Sequence, residues 1–279
     1  MNDNLPAGSS VARCFRFPGG KTKALVMSYD DGSEHDRRLV EMFNRWEIKG
    51  TFNLNSGKLN QPHHIAMQEV QDLYRGHEVA CHTVNHPDLT HLSIADIRRE
   101  IEQDRAVLEA LTGQAVRGLA YPFGTYDERI VQLLPELGIE YARTASSTQD
   151  FRLPETLAAW QPTTHHQNAW ALGEQFLQSM SSQLQVLSIW GHSYELDGFM
   201  TGDASKNWQF MESVCQLLHG QDAVHYTTTI DLMDYVVALR WATWSSSNRQ
   251  LRNPSRSSLW LDWRGHLMEI PPGQAAVLV

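Results

Sequence analysis

The sequence predicts an α/β fold on a parallel sheet, and three observations carry that reading. Short apolar runs alternate with longer stretches of helical periodicity from residue 24 to residue 241. Glycines stand where several helical stretches should stop, at Gly76, Gly113, Gly138 and Gly220. The 279 residues suit a single barrel domain of about 250 residues, although periodicity alone leaves an open sheet and an incomplete (β/α) barrel both standing.

Each element follows from its pattern. Residues 24–29 read as a buried strand. Leu39, Val40, Phe43 and Trp46 share one face of a helix over 35–46. Residues 51–54 read as strand, 65–74 as helix and 78–81 as a short strand. Ser93 and Asp96 resemble a capping box, opening a helix that runs to about Leu111. Strands at 116–120, 141–144, 186–190 and 223–226 alternate with helices at 128–137, 171–180, 208–218 and 230–241. That makes about seven parallel strands with helices outside. After Thr243 short alternating stretches are broken by Asn253-Pro254 and Pro271-Pro272-Gly273, which predicts a small C-terminal β appendage. The expected division is a barrel at 1–241 and a β-rich extension at 242–279 packed on it.

Composition removes several classes. With 23 basic and 32 acidic residues the net charge is −9, which argues against nucleic acid as a partner. No apolar run approaches the roughly 20 residues of a membrane helix, so no membrane partner is expected. The first residues show neither a basic nor an apolar leader segment, and Cys14, Cys81 and Cys215 are far apart. Both features predict reduced thiols in a cytoplasmic protein. Thirteen histidines raise the prospect of a metal site only where their spacing suits ligands.

Four segments carry chemistry. Ser28-Tyr29-Asp30-Asp31-Gly32 ends a strand on adjacent carboxylates, where α/β sheets place ligands. His82-Thr83-Val84-Asn85-His86 follows another strand, and histidines four apart meet on one face of a helical turn. One carboxylate with two imidazoles makes a metal set with open positions, and the other carboxylate can take a proton from a metal-acidified water. Tyr121-Pro122-Phe123-Gly124 is a turn able to offer backbone N–H groups to an oxyanion. Ile189-Trp190-Gly191-His192 brings a histidine to a strand end, within reach of a leaving group.

Together these segments, in this order, resemble the motifs of the polysaccharide deacetylases, the carbohydrate esterases that share the NodB homology domain. The likeness covers roughly residues 23–241. Ser28–Gly32 is similar to Thr-Phe-Asp-Asp-Gly, and His82–His86 to His-(Ser/Thr)-x-x-His. Tyr121–Gly124 is similar to the end of Arg-x-Pro-Tyr-Gly, and Ile189–His192 to Leu-x-His. The resemblance implies a distorted (β/α) barrel of about seven strands. It implies a divalent metal on Asp31, His82 and His86, zinc before cobalt, nickel or iron, with Asp30 as base and His192 as acid. The Phe123 N–H would hold the oxyanion, and the reaction would release acetate from an acetylated carbohydrate.

The departures are as informative. The motif arginine is Ala120 here, and Arg143 is the candidate to supply a guanidinium from the next strand, ahead of Arg117. The family's Asp-x-x-Asp-Trp is missing; its region holds Trp160 and the pair His165-His166. Trp190 stands where leucine is usual, and Glu195 is placed to partner His192. Tyr121, Trp160, Trp190, His165, His166 and Asn53 are the expected substrate contacts. Two rival functions share these residues: an amidohydrolase on a small non-sugar C–N bond, and a carbohydrate-binding relative without turnover. Oligomeric state stays open.

Overall fold

The computed structural model describes residues 15–198, 203, 205–247 and 249–278. The chain enters through a two-residue strand, β1 (Phe15–Arg16), and then β2 (Lys23–Asp30), buried along its whole length. Then come α1 (Asp36–Arg45), β3 (Gly50–Leu54), α2 (Val70–Leu73), β4 (Glu78–Cys81), α3 (Ile94–Thr112), β5 (Gly118–Ala120), α4 (Glu128–Leu133) and β6 (Tyr141–Arg143). The alternation ends with β7 (Thr164–His165), α5 (Ala169–Gln178), β8 (Gln185–His192), α6 (Trp208–Leu218), β9 (Val224–Tyr226) and α7 (Thr229–Trp241). Eight strands form one parallel sheet in the order β6-β5-β4-β3-β2-β8-β7, with β9 beside β3 on the same edge of β2. Each of the seven expected strands is present; the eighth, β7, lies in Thr164 and His165, which no apolar run marks.

Two helices are shorter than their periodicity predicts. In place of a helix over 65–74 there is a 3₁₀ turn at Met67–Glu69 and then α2. Ile65 is spent elsewhere: its N–H donates to Gly32 O at 2.9 Å and its carbonyl accepts from Asn60 N at 3.0 Å. α4 stops at Leu133 rather than Leu137 because Pro135 has no N–H to continue the ladder.

The side chains of β2 alternate as a strand requires. Leu25, Met27 and Tyr29 join the apolar cluster under α1 and α6. Ala24 and Val26 join a second cluster, inside the curl of the sheet, with Leu232, Val236 and Leu239 of α7. Ser28 and Asp30 continue that inner face toward the carboxyl end of the strand. The gap between the edge strands β6 and β7 is spanned by the chain itself. Trp160 N donates to Ala142 O at 2.8 Å and Thr144 N to Trp160 O at 2.9 Å. Just beyond, Thr164 and His165 pair with Ile189 and Trp190 of β8. The result is a curled, distorted barrel whose strand ends face one cleft.

The C-terminal strands are β10 (Thr243–Trp244), β11 (Gln250–Arg252), β12 (Leu259–Trp263), β13 (His266–Ile270) and β14 (Ala275–Val277). They form two antiparallel sheets, β10-β11-β14 and β1-β12-β13, so the start of the chain is woven into the appendage. α7 is buried on most of its circumference because it lies between the barrel and these strands. Its Tyr235 hydroxyl donates to Arg16 O and accepts from Trp260 N at 3.2 Å. Cys81 and Cys215 are buried free thiols, and Cys14 lies outside the described residues. Among the described residues no helix is long and apolar enough to cross a membrane.

Candidate active site and metal centre

Asp31 leaves β2 with φ of 79°, a conformation that aspartate tolerates better than most side chains. Its N–H donates to Asn53 O at 3.0 Å, and the turn aims its carboxylate across to the loop after β4. Asp31 Oδ1 lies 3.7 Å from His82 Nε2 and 3.8 Å from His86 Nε2. That oxygen is buried and accepts no hydrogen bond, although Lys58 Nζ stands 3.8 Å away. His82 Nδ1 is 2.8 Å from Ala120 O, a contact that puts the proton on Nδ1 and turns the Nε2 lone pair toward Asp31. Burial lowers the pKa of both imidazoles, that of His86 to about 4, so both are in the neutral form that ligates. The donor atoms of the three residues lie within 4.8 Å of one another. An orphaned carboxylate oxygen facing two imidazole lone pairs is unfavourable alone and fits a divalent cation well.

The two histidines do not meet on a helical turn, as their spacing suggested. Residues 82–86 are an irregular loop with positive φ at Thr83 and His86. Side chains impose that shape. Thr83 Oγ1 accepts from His86 N at 3.0 Å, and Asn55 Nδ2 donates to the carbonyls of His82 and Thr83.

Asp30 is on the inner face of β2, almost wholly buried. Arg143 Nη2 lies 2.5 Å from each of its oxygens, and Asn53 Nδ2 donates to Oδ1 at 2.8 Å. Burial alone would raise the Asp30 pKa; Arg143, with His82 and His192, outweighs it and holds the carboxyl below its ordinary range. Arg143 reaches this position by register. It pairs with Ala120 across β5 and β6, and register partners in a parallel sheet project to the same face. Ala120 leaves the room that the guanidinium crosses. Arg117 is turned away, bound to Glu140 and Asp234.

His192 closes β8 and pairs in register with Asp30. Its Nε2 is 3.9 Å from Asp31 Oδ2 and its Nδ1 is 3.2 Å from Glu195 Oε1. Burial pulls the His192 pKa down, but the bond to Glu195 and the charges of Asp30 and Asp31 carry it above the ordinary value. Glu195 also lies 3.0 Å from His165 Nε2 and 3.1 Å from His166 Nε2. Opposed by burial, these imidazoles still hold its carboxyl far below the usual range.

The Tyr121–Gly124 segment forms a 3₁₀ turn in which Phe123 has φ of 59°. Gly124 and Thr125 spend their N–H groups on Tyr121 O and Pro122 O. Among the described residues the Phe123 N–H meets no acceptor. A Cβ at Gly124 would come within 2.5 Å of Ala145 N, which is why the turn needs glycine. The Phe123 ring is 65% exposed and stands edge-on to His86 at 4.6 Å.

Several expected substrate contacts are placed elsewhere. Tyr121 is buried, with its hydroxyl given to Ala158 O at 2.7 Å and its ring stacked on Tyr126. Trp160 is buried in the inner apolar cluster. Asn53 is 1% exposed and serves Asp30, as above. His166 is fully buried behind Glu195. Trp190 and partly exposed His165 remain at the cleft, with the Arg143 guanidinium 5.2 Å from the Trp190 ring. The residues that support the site carry little local signal. Asp104, in the middle of α3, accepts from Ser56 N at 2.7 Å and His82 N at 3.0 Å. Asp36 ties α1 to the loop after β8 through Tyr74 and Ser193, and burial raises its pKa to about 7. The Tyr194 hydroxyl donates to Asp31 Oδ2 at 3.3 Å.

Comparison with known proteins bears on the family and the fold. The polysaccharide deacetylase family matches residues 13–142. The peptidoglycan-N-acetylglucosamine deacetylase PgdA of Listeria monocytogenes is 23% identical over 151 residues, 53% of this chain and 30% of that protein. The chain spans between 30% and 40% of the length of such curated relatives. Among solved structures, the Xyl-CE4 domain of a xylanase from the hindgut metagenome of Trinervitermes trinervoides superposes with a TM-score of 0.54 at 20% identity, covering 77% of this chain and 92% of that one. A CE4 family pseudoenzyme from Bacillus anthracis superposes at 0.50 with 16% identity, covering 78% and 67%. These likenesses show the fold. The family that the sequence motifs resemble is thus the family that the comparisons find, the polysaccharide deacetylases.

Proposed function

We propose that this chain is a metal-dependent hydrolase that removes N- or O-linked acetyl groups from a carbohydrate. A pseudoenzyme shares the fold, so residues rather than architecture support this activity. The observation that carries it is the meeting of Asp31, His82 and His86 with Asp30, whose carboxyl Arg143 holds below its ordinary range, and His192, whose pKa Glu195 helps to raise, at one end of the sheet. A divalent cation held by the three ligands would supply Lewis acidity and make a bound water acidic enough to yield its proton near neutral pH. Asp30, kept ionised by Arg143, is a weak base and suits only so acidified a donor. The Phe123 N–H is free to donate to the acetyl oxygen as negative charge gathers there. His192, oriented and charged by Glu195, protonates the departing nitrogen or oxygen at Nε2. Mere sugar binding needs neither this base nor this acid. Phe123 and Tyr126, both exposed at the rim, offer apolar faces to a sugar ring.

The test is acetate release from a panel of acetylated mono- and oligosaccharides, comparing metal-stripped with zinc-restored protein. Zinc-dependent release from at least one sugar is expected. No release from any sugar by zinc-loaded protein overturns the carbohydrate reading, and release from small amides instead would establish the amidohydrolase.

A further inference from the structure

We propose a second divalent-cation site, built from His165, His192 and Glu195, on the side of His192 away from Asp31. A donor atom of each residue lies within 4.8 Å of those of the other two. His165 comes from β7, His192 from the end of β8 and Glu195 from the turn that follows, so three rigidly placed backbones converge. All three residues are partly buried.

The hydrogen-bond geometry separates a cation site from a plain ion-pair cluster. Glu195 Oε2 is within 3.0 Å of His165 Nε2 and 3.1 Å of His166 Nε2, distances at which a good hydrogen bond would form. Yet this buried oxygen accepts a well-directed bond from neither ring. Among the described residues this carboxylate is hydrogen-bonded only through Oε1, to His192 Nδ1, so Oε2 keeps its lone pairs for another partner. Neither ring nitrogen of the fully buried His166, which backs the cluster, has a hydrogen-bond partner. A buried carboxylate oxygen without a partner calls for a missing group, and a cation on Glu195 Oε2 supplies one. Two imidazoles and a carboxylate favour zinc, cobalt or nickel over magnesium or calcium, and three protein ligands leave positions open to water.

His192 is then shared. Its Nε2 looks toward Asp31 and its Nδ1 toward Glu195. A cation on Nδ1 leaves His192 a neutral imidazole, whose remaining N–H is a far weaker acid than imidazolium. Filling the second site therefore inhibits. This consequence rests on the reading of His192 as the acid; the existence of the site does not.

The experiment is zinc stoichiometry of the full chain by equilibrium dialysis and elemental analysis, with circular dichroism to show that each variant is folded. Two ions per chain are expected at saturation. His165→Ala and the isosteric Glu195→Gln should each lose one ion and keep the other, while His82→Ala loses the opposite one. Saturation at one ion in the unaltered chain, or retention of two in both His165→Ala and Glu195→Gln, overturns the proposal. Where acetate is released, excess zinc should inhibit the unaltered chain and not His165→Ala. If no substrate turns over, the stoichiometry still decides the site, so its failure is distinct from failure of the deacetylase reading.

Discussion

The β2–β4 side of the cleft and the β5–β8 side reach their chemistry by different routes. On the first, contiguous motifs end on the residues that assemble: Asp30 and Asp31 after β2, His82 and His86 after β4. On the second, the expected arginine is Ala120 and the expected acidic motif is missing. The groups are there nonetheless, because Arg143 sends its guanidinium from the neighbouring strand and Glu195 offers a carboxylate from the turn after His192. Neighbouring strands lie about 4.8 Å apart, and register partners share a face, so a long side chain can move over by one strand and still serve the same partner. Cation ligands have less freedom, since each must present one lone pair within a fraction of an ångström.

That difference sets the order of expected effects. His82→Ala should cost the most, at least about 10³-fold in turnover together with one bound ion, because no neighbouring side chain can replace a ligand. Arg143→Ala should cost about 10²-fold, and it should also lower the melting temperature, since Asp30 is left buried with its main counter-charge gone. Restoring an arginine from the other strand, in the double variant Ala120→Arg, Arg143→Ala, should recover at least about tenfold of that loss. Failure of this rescue in a folded protein would show that the strand, and not the place in space, decides. Arg143→Lys should rescue poorly, because a single ammonium cannot engage Asp30 and reach Thr144 O as the fork does.

The same contrast explains what was legible in the sequence. Asp31, His82 and His86, with Asp30 and His192, each sit in a short motif directly after an apolar run, so local pattern was enough to mark them. Alternation along the chain was likewise enough for the seven longer strands. Apart from Arg143, which the missing motif arginine pointed to, residues whose partners are distant in sequence were not marked. Asp104 looks like an ordinary helix carboxylate until the fold brings His82 N to it. Asn53 could be read as a sugar contact because nothing local shows that Asp30 lies opposite it. Tyr121 and Trp160 were expected at the pocket because aromatic side chains serve cores and sugar sites alike, and only packing separates the two. The loop at 82–86 broke its helical spacing because Asn55 and Thr83 hold the backbone in another shape.

A smaller effect sharpens the comparison at His192. Glu195→Gln removes the charged hydrogen-bond partner that, with Asp30 and Asp31, raises the imidazole pKa, while keeping the side-chain volume. The acid must carry a proton to act, so the alkaline limb of the kcat profile should move to lower pH. The maximum rate should fall by about ten- to a hundredfold. An unmoved alkaline limb would remove His192 from the role of acid or Glu195 from the role of its partner.

The smallest expected effect lies at the amino end of β4, opposite the site. Glu78 is buried and accepts from Thr51 Oγ1 and Tyr141 Oη, both at 2.8 Å, and from Ile230 N at 2.9 Å, joining the barrel to α7. Burial, only partly offset by these bonds, raises its pKa from 4.5 to about 7. A carboxyl whose folded pKa is raised contributes stability that is full below its unfolded value and is lost as pH rises through the folded one. The contribution of Glu78 should therefore decline from about pH 5 to about pH 7, by about 1–3 kcal/mol. Glu78→Gln stays neutral throughout, so its advantage over the unaltered chain should grow with pH in urea melts at pH 5 and pH 8.5. Equal differences at the two pH values would show that Glu78 is ionised in the folded protein, with its three donors outweighing burial. The carboxylates at the two ends of the sheet would then differ only in their partners, and not in their charge.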